Sequence, residues 1–186
     1  HSGMVTEPLI DLLDCDAVMA VTTGVALGSP ALYARVAEDP RVRFRPVGET
    51  HAIATLAAIP CFVAVNSAIE VDLFGQVNAE WMDGRQVSGG GGLIDFLRGA
   101  WASEGGVPVV ALPASARGDT VTRIVPRLSC PPSVGRSDPV VVVTEHGIAD
   151  LRGQSLDARA AALIAVASPA HRDRLADEWC SLRQAM

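Results

Sequence analysis

The sequence predicts an α/β fold built on an open, mainly parallel sheet flanked by helices. Three observations predict it. Short apolar runs alternate with amphipathic segments along the whole chain. Residues 107–112 and 140–143 carry no polar side chain, the pattern of strands buried on both faces of a parallel sheet. The C-terminal part holds two helical segments with clear starts, at Ser155 and at Ser168-Pro169. With 186 residues, 49% hydrophobic and only 19% charged, the chain can bury one sizeable core and is read as one domain.

Taken in order, residues 7–14 read as helix, followed by a strand at 17–21 that runs into the turn Thr23-Gly24. Ser29-Pro30 is a cap and first-turn pair for a helix to about residue 37. Residues 41–47 alternate basic and apolar side chains, as in a short edge strand. Residues 50–58 are helical in pattern and stop before Pro60. Residues 62–65 form an apolar strand, and 69–73 a second extended piece. Asp83-Gly84 between extended flanks is a hairpin signal. Five residues later a run of four glycines leads straight into a helical stretch, 93–103. Residues 122–125 are again extended, and two helices over 155–166 and 169–182 close the chain.

Composition excludes several functions. The net charge of −6 gives no basic face for nucleic-acid phosphates. All 15 basic residues are Arg, so Schiff-base and phosphate-loop lysine chemistry is absent. The four cysteines lie far apart with no CxxC and no Cys/His cluster, so no metal site is expected, and reduced, buried thiols are. No apolar run reaches the roughly 18 residues of a membrane span, and no secretory signal is visible. A cytoplasmic location without membrane partners is therefore expected.

Three places could carry chemistry. Gly89, Gly90, Gly91 and Gly92 leave backbone amides bare at a helix start, where a phosphate or an oxyanion can sit. The same run can equally be a flexible hairpin exit. Asn66, at the end of the apolar strand and followed by Glu70 and Asp72, stands where open α/β folds place ligands, or merely satisfies a turn. Glu145 and His146 follow the 140–143 strand. Glu145 there is either a desolvated carboxylate with a raised pKa or a turn cap. Asp150 and Arg152 nearby can be simple solvated charges.

The stretches NSAIEVDLFGQVNAE at 66–80, SGGGGLIDFLRGA at 88–100, TRIVPRL at 122–128 and VVVVTEHGIADLRGQSLDARAAALIAVASPAHRD at 140–173 carry a resemblance. So do HSGMVTEPLIDLL at 1–13, ALGSPALY at 26–33 and FRPV at 44–47. Together they resemble the C-terminal half of the acetyl-CoA hydrolase/transferase family, which includes 4-hydroxybutyrate and acetate CoA-transferases. Members run about twice this length, so the resemblance implies that residues 1–186 are a C-terminal domain with the N-terminal half missing. It implies coenzyme A thioesters and small carboxylates as substrates, no metal, and a homodimer.

In that family a glutamate takes the acyl group as an anhydride and then CoA as a thioester. It lies in a His-Ser/Thr-Glu-Met motif, and here the motif reads His1-Ser2-Gly3-Met4. The usual Gly-Gly-Gln before the helix reads Gly91-Gly92-Leu93. By resemblance, Asn66 and Glu145 line the pocket with the amides of Gly89–Gly92. Glu145 would then serve as base for water, giving hydrolysis rather than transfer. The resemblance thus implies a CoA-transferase or an acyl-CoA hydrolase acting on short-chain acyl-CoA thioesters, and the other reading is a CoA-binding or subunit-interaction domain that has lost its nucleophile.

Overall fold

The computed structural model describes residues 1–186 as strands and helices around one main core. Helix α1 (Glu7–Asp14) carries Pro8 in its first turn and buries Ile10 and Leu13. Strand β1 (Val21–Thr23) pairs in parallel with β2 (Val42–Phe44), joined through α2 (Pro30–Glu38). The cap expected at Ser29 forms, its hydroxyl accepting the Leu32 amide at 3.2 Å. Side chains from α1, β1, α2 and β2 make a seven-residue apolar cluster of their own.

The chain then makes two short helices, α3 (Val47–Thr50) and α4 (Ile53–Ala57), rather than one over 50–58. The break falls at His51-Ala52. There the His51 ring turns to the neighbouring helix, its edge against Phe96 with ring centroids 5.1 Å apart. Strand β3 (Val63–Ser67) follows, then β4 (Glu70–Asp72), β5 (Val77–Asn78), and the hairpin β6 (Trp81–Met82) and β7 (Arg85–Gln86). Asp83 and Gly84 turn that hairpin with φ of +50° and +73°, the left-handed pair that a type I′ turn requires.

Helix α5 (Leu93–Ala102) buries Leu93, Phe96, Leu97 and Ala100, one face at helical spacing. It lies on β3 and β8 (Val107–Ala111). The 122–125 segment is split. After β9 (Ser115–Ala116), β10 (Val121–Thr122) pairs with β9, whereas β11 (Ile124–Val125) pairs with β4. Strand β12 (Val141–Thr144) turns back at once into β13 (Gly147–Asp150). Helices α6 (Leu156–Val166) and α7 (Arg172–Gln184) finish the chain, and the Ser155 hydroxyl accepts the Ala158 amide as its cap position predicts.

The central sheet has the order β13-β12-β8-β3. Strands β12, β8 and β3 are parallel, with Asn66 opposite Val110 and Val110 opposite Val142, while β13 is antiparallel at one edge. Val110, Val142, Leu97 and Leu163 are buried in the twenty-residue core. Each such side chain contributes roughly 1.5–3 kcal/mol. Strand β3 forms the other edge, where Val63 and Val65 stay 52% and 67% exposed.

Two further sequence expectations are corrected, and one strand had no counterpart among them. The 17–21 strand begins only at Val21 and runs to Thr23, because its partner β2 offers pairing only from Val42 opposite Val21 to Phe44 opposite Thr23. Strand β13 was hidden in Gly147–Asp150, a segment without polar/apolar alternation whose Ile148 faces solvent. The cysteines are free thiols, but Cys15, Cys61 and Cys180 are exposed and Cys130 half-buried. No helix is long and apolar enough to cross a membrane.

Candidate active site

A cleft of about 350 Å³ runs along the edge strand β3. One wall is residues 62–67, including Asn66. The glycine bend (Gly89, Gly90, Gly92) with Leu93 and Phe96 of α5 forms another, and His1, Ser2 and Gly3 border the rest. The bend is positioned by two anchors. On its upstream side the Ser88 hydroxyl donates to the Ala79 carbonyl at 2.8 Å, and the Val87 amide to Glu80 O at 2.7 Å. On its downstream side α5 begins, with Gly92 as the residue before its first turn.

Gly91 has φ +50°, a backbone that favours glycine. Gly92 has an ordinary φ of −85°, but a β-carbon there would overlap the His51 ring, so only glycine lets this approach happen. The amides of Gly89 to Gly92 donate to no group of the protein. They stand at the positive end of α5, a place that favours negative charge on a ligand. The Asn66 Nδ2 also has no hydrogen-bond partner although the atom is buried. Burying a donor unpaired costs on the order of 1–3 kcal/mol.

Of the sequence-derived site residues, the structure brings together Asn66, Gly89, Gly90 and Gly92, and Gly91 completes the bend. Glu145 is not among the residues lining the cleft. The reason is register: Asn66 lies opposite Val110, which faces Val142, and Glu145 is three residues beyond Val142 and two strands over. At the spacings of a parallel sheet that separates their backbones by roughly 14 Å.

The Glu145 carboxylate accepts the Ala114 amide at 2.8 Å and is half exposed. Its pKa is therefore lowered, chiefly by that backbone bond, and not raised as a desolvated strand-end carboxylate would be.

The other sequence candidates serve the backbone. Asp72 is fully buried and accepts from the amides of Phe74, Gln76 and Leu128 and from the Gln76 side chain, at 2.8–3.3 Å. Asp150 pairs with Arg152 at 2.8 Å, and His146 stands 3.9 Å from Glu145. No group of three or more His, Cys, Asp or Glu side chains converges as a metal site would.

Residues 28–179 match the family described as acetyl-CoA hydrolase/transferase C-terminal domain. The chain belongs to the acetyl-CoA hydrolase/transferase family. It is 33% identical over 190 residues to a 4-hydroxybutyrate coenzyme A transferase of Clostridium kluyveri, an alignment covering 96% of this chain and 44% of that protein. It is 36% identical over 188 residues to a succinyl-CoA:cyclohexane-1-carboxylate CoA transferase of Geobacter metallireducens, covering 95% and 43%. The crystal structure of RipA from Yersinia pestis superposes with a TM-score of 0.92 at 32% identity, over 98% of this chain and 44% of the other. The chain thus spans less than half the length of the relatives it matches.

Two residues of this family domain lie against the bend and escaped the sequence reading. The Glu80 carboxylate lies 3.6 Å from where a β-carbon on Gly90 would be, and accepts the Ser133 hydroxyl at 2.7 Å. His51 packs on Gly92 from the other side. Glu80 closes the NAE stretch and was within reach of a motif argument. His51 had no sequence signal, because only tertiary folding carries it across to α5.

Proposed function

We propose that the protein hydrolyses short-chain acyl-CoA thioesters in the cleft between Asn66, Gly3 and the glycine bend. One observation carries this reading: none of the sixteen residues lining the cleft is Asp or Glu. Transfer of CoA between two acids needs an enzyme carboxylate to hold the acyl group as an anhydride and the CoA as a thioester. Gly3 stands where the resemblance puts that carboxylate, and glycine cannot attack. Of the serines along the cleft, Ser2 and Ser88 turn their hydroxyls to the carbonyls of Met4 and Ala79 at 2.6 and 2.8 Å, and Ser67 has no histidine or carboxylate hydrogen-bonded to it that would activate it. Water is then the nucleophile.

The remaining groups suit that attack. The free amides of the bend and the Asn66 Nδ2 supply donors for the oxygen that becomes negative as the tetrahedral intermediate forms. Phe62 and Phe96, which pack together along the cleft, give the acyl chain an apolar wall. Names of relatives built on 4-hydroxybutyrate and cyclohexane-1-carboxylate support a small acyl group.

The test is to incubate the full-length protein with acetyl-CoA and follow free thiol, with and without an added carboxylate. Thiol release that ignores the carboxylate is the expected result. Acyl exchange that requires it would make the protein a transferase. CoA binding without either would make it a non-catalytic domain.

A further inference from the structure

The hydrolysis reading leaves the proton of the attacking water without an acceptor, and the surroundings of Gly3 supply one. A β-carbon on Gly3 would meet a single protein atom within 4 Å, the His51 Nε2, at 3.7 Å. Gly3 borders the cleft, so a water held beside its α-carbon lies both within reach of that nitrogen and in the acyl site. The other ring nitrogen, Nδ1, is 2.9 Å from the Thr50 hydroxyl, and Thr50 is buried. With Nδ1–H donating to Thr50, Nε2 is left as the acceptor, between Gly92 and Gly3. Phe96 holds the ring edge-on and Gly92 lets it approach α5. His146 and His171 each have a carboxylate within 4 Å, at 3.9 and 3.6 Å. His51 has none; it meets the bend at Gly92 without itself lining the cleft, His1 is the titratable side chain among the lining residues, and the Glu80 carboxylate lies against the bend at Gly90.

We propose that His51 is the general base of thioester hydrolysis, a proposal that rests on the hydrolysis reading above. Its Nε2 takes a proton from water as the water oxygen bonds to the thioester carbonyl carbon. The carbonyl electrons move to the oxygen facing the glycine amides and Asn66. When they return, the carbon–sulfur bond breaks, and the CoA thiolate leaves with the proton carried by His51. The products are the free acid and CoA thiol, and no further reactant is needed.

The test uses acetyl-CoA and the full-length protein in three forms: unaltered, His51→Gln and Gly3→Ala. A base of this kind contributes roughly 10²–10⁴-fold, so H51Q is expected to lose about 100-fold or more in kcat and to lose the acid limb of the pH–rate profile. G3A puts a methyl group where the water would sit, in ordinary contact with Nε2 and with nothing else. It is expected to lose tenfold or more while CoA binding and the thermal midpoint hold. If H51Q fails to fold, G3A decides alone, since unchanged hydrolysis in G3A overturns the proposal. An H51Q enzyme at the unaltered rate with its acid limb intact overturns it too, and leaves hydrolysis standing. So does an acid limb that moves with His1→Gln instead. Absence of thiol release from the unaltered protein sinks the hydrolysis reading itself.

Discussion

His51 and Gly92 approach so closely that a β-carbon on residue 92 would occupy the space of the imidazole ring. The contact joins the break between α3 and α4 to the start of α5, and so fixes the bend against the N-terminal segment. Gly92→Ala keeps an accessible backbone conformation, φ being −85°, so any effect is steric. Overpacking of this kind costs about 1–3 kcal/mol. The expected outcome is a thermal midpoint several degrees lower together with slower acyl-CoA hydrolysis, read by calorimetry and thiol assay on one sample.

Asn66 separates binding from stability. Its Nδ2 has no partner within the protein, so Asn66→Ala removes no internal hydrogen bond from that atom. Stability should hold or rise slightly. Loss of a donor to a developing oxyanion costs about 10²–10³-fold in kcat. Steady-state kinetics beside a urea titration checks both halves, and a destabilised variant with normal kinetics would reverse the assignment.

Glu145 is the converse case. Its carboxylate holds the Ala114 amide and lies outside the cleft, and the carboxamide of Glu145→Gln can still accept that bond. Hydrolysis should stay within about tenfold of the unaltered protein, whereas loss of a true general base would cost about 10²–10⁴-fold. Comparing kcat for the two proteins decides it.

Acid sensitivity has a clear origin in Asp39. This carboxylate is buried between Arg41 and Arg35, at 2.9 and 2.7 Å, and its pKa is held far below the usual range, first by the Arg41 side chain and then by the Arg41 amide. A carboxylate with a depressed folded-state pKa stabilises the fold above its unfolded value, about 3.9, and loses that contribution as pH falls toward the folded value. Asp39→Asn should therefore be less stable than the unaltered protein at pH 7, and the gap should narrow below about pH 4. Urea midpoints at pH 7 and pH 3 measure it.

Much of the fold was legible because local rules governed it. The runs that became β8 and β12 are central strands of the sheet, β12 mostly buried and β8 buried on one face and partly buried on the other, the Asp83-Gly84 turn needs two positive φ angles, and Ser29 and Ser155 cap their helices. What was missed depends on partners distant in sequence. Strand β13 exists because β12 offers it an edge, and the 50–58 helix breaks because His51 packs on Phe96. At the site, the bend and Asn66 were readable from polar residues at a strand end and bare amides before a helix. Glu145 looked equivalent by sequence, but register carries it away, and His51 enters the cleft's surroundings only through the contact that Gly92 permits.

The claim that the cleft works without an enzyme carboxylate is tested most directly by quenching the full-length protein during turnover of acetyl-CoA in ¹⁸O-water. Intact-protein mass spectrometry should then find no acyl or CoA adduct, with the label in the released acetate alone. A CoA thioester or an ¹⁸O atom recovered on a side-chain carboxylate would contradict it.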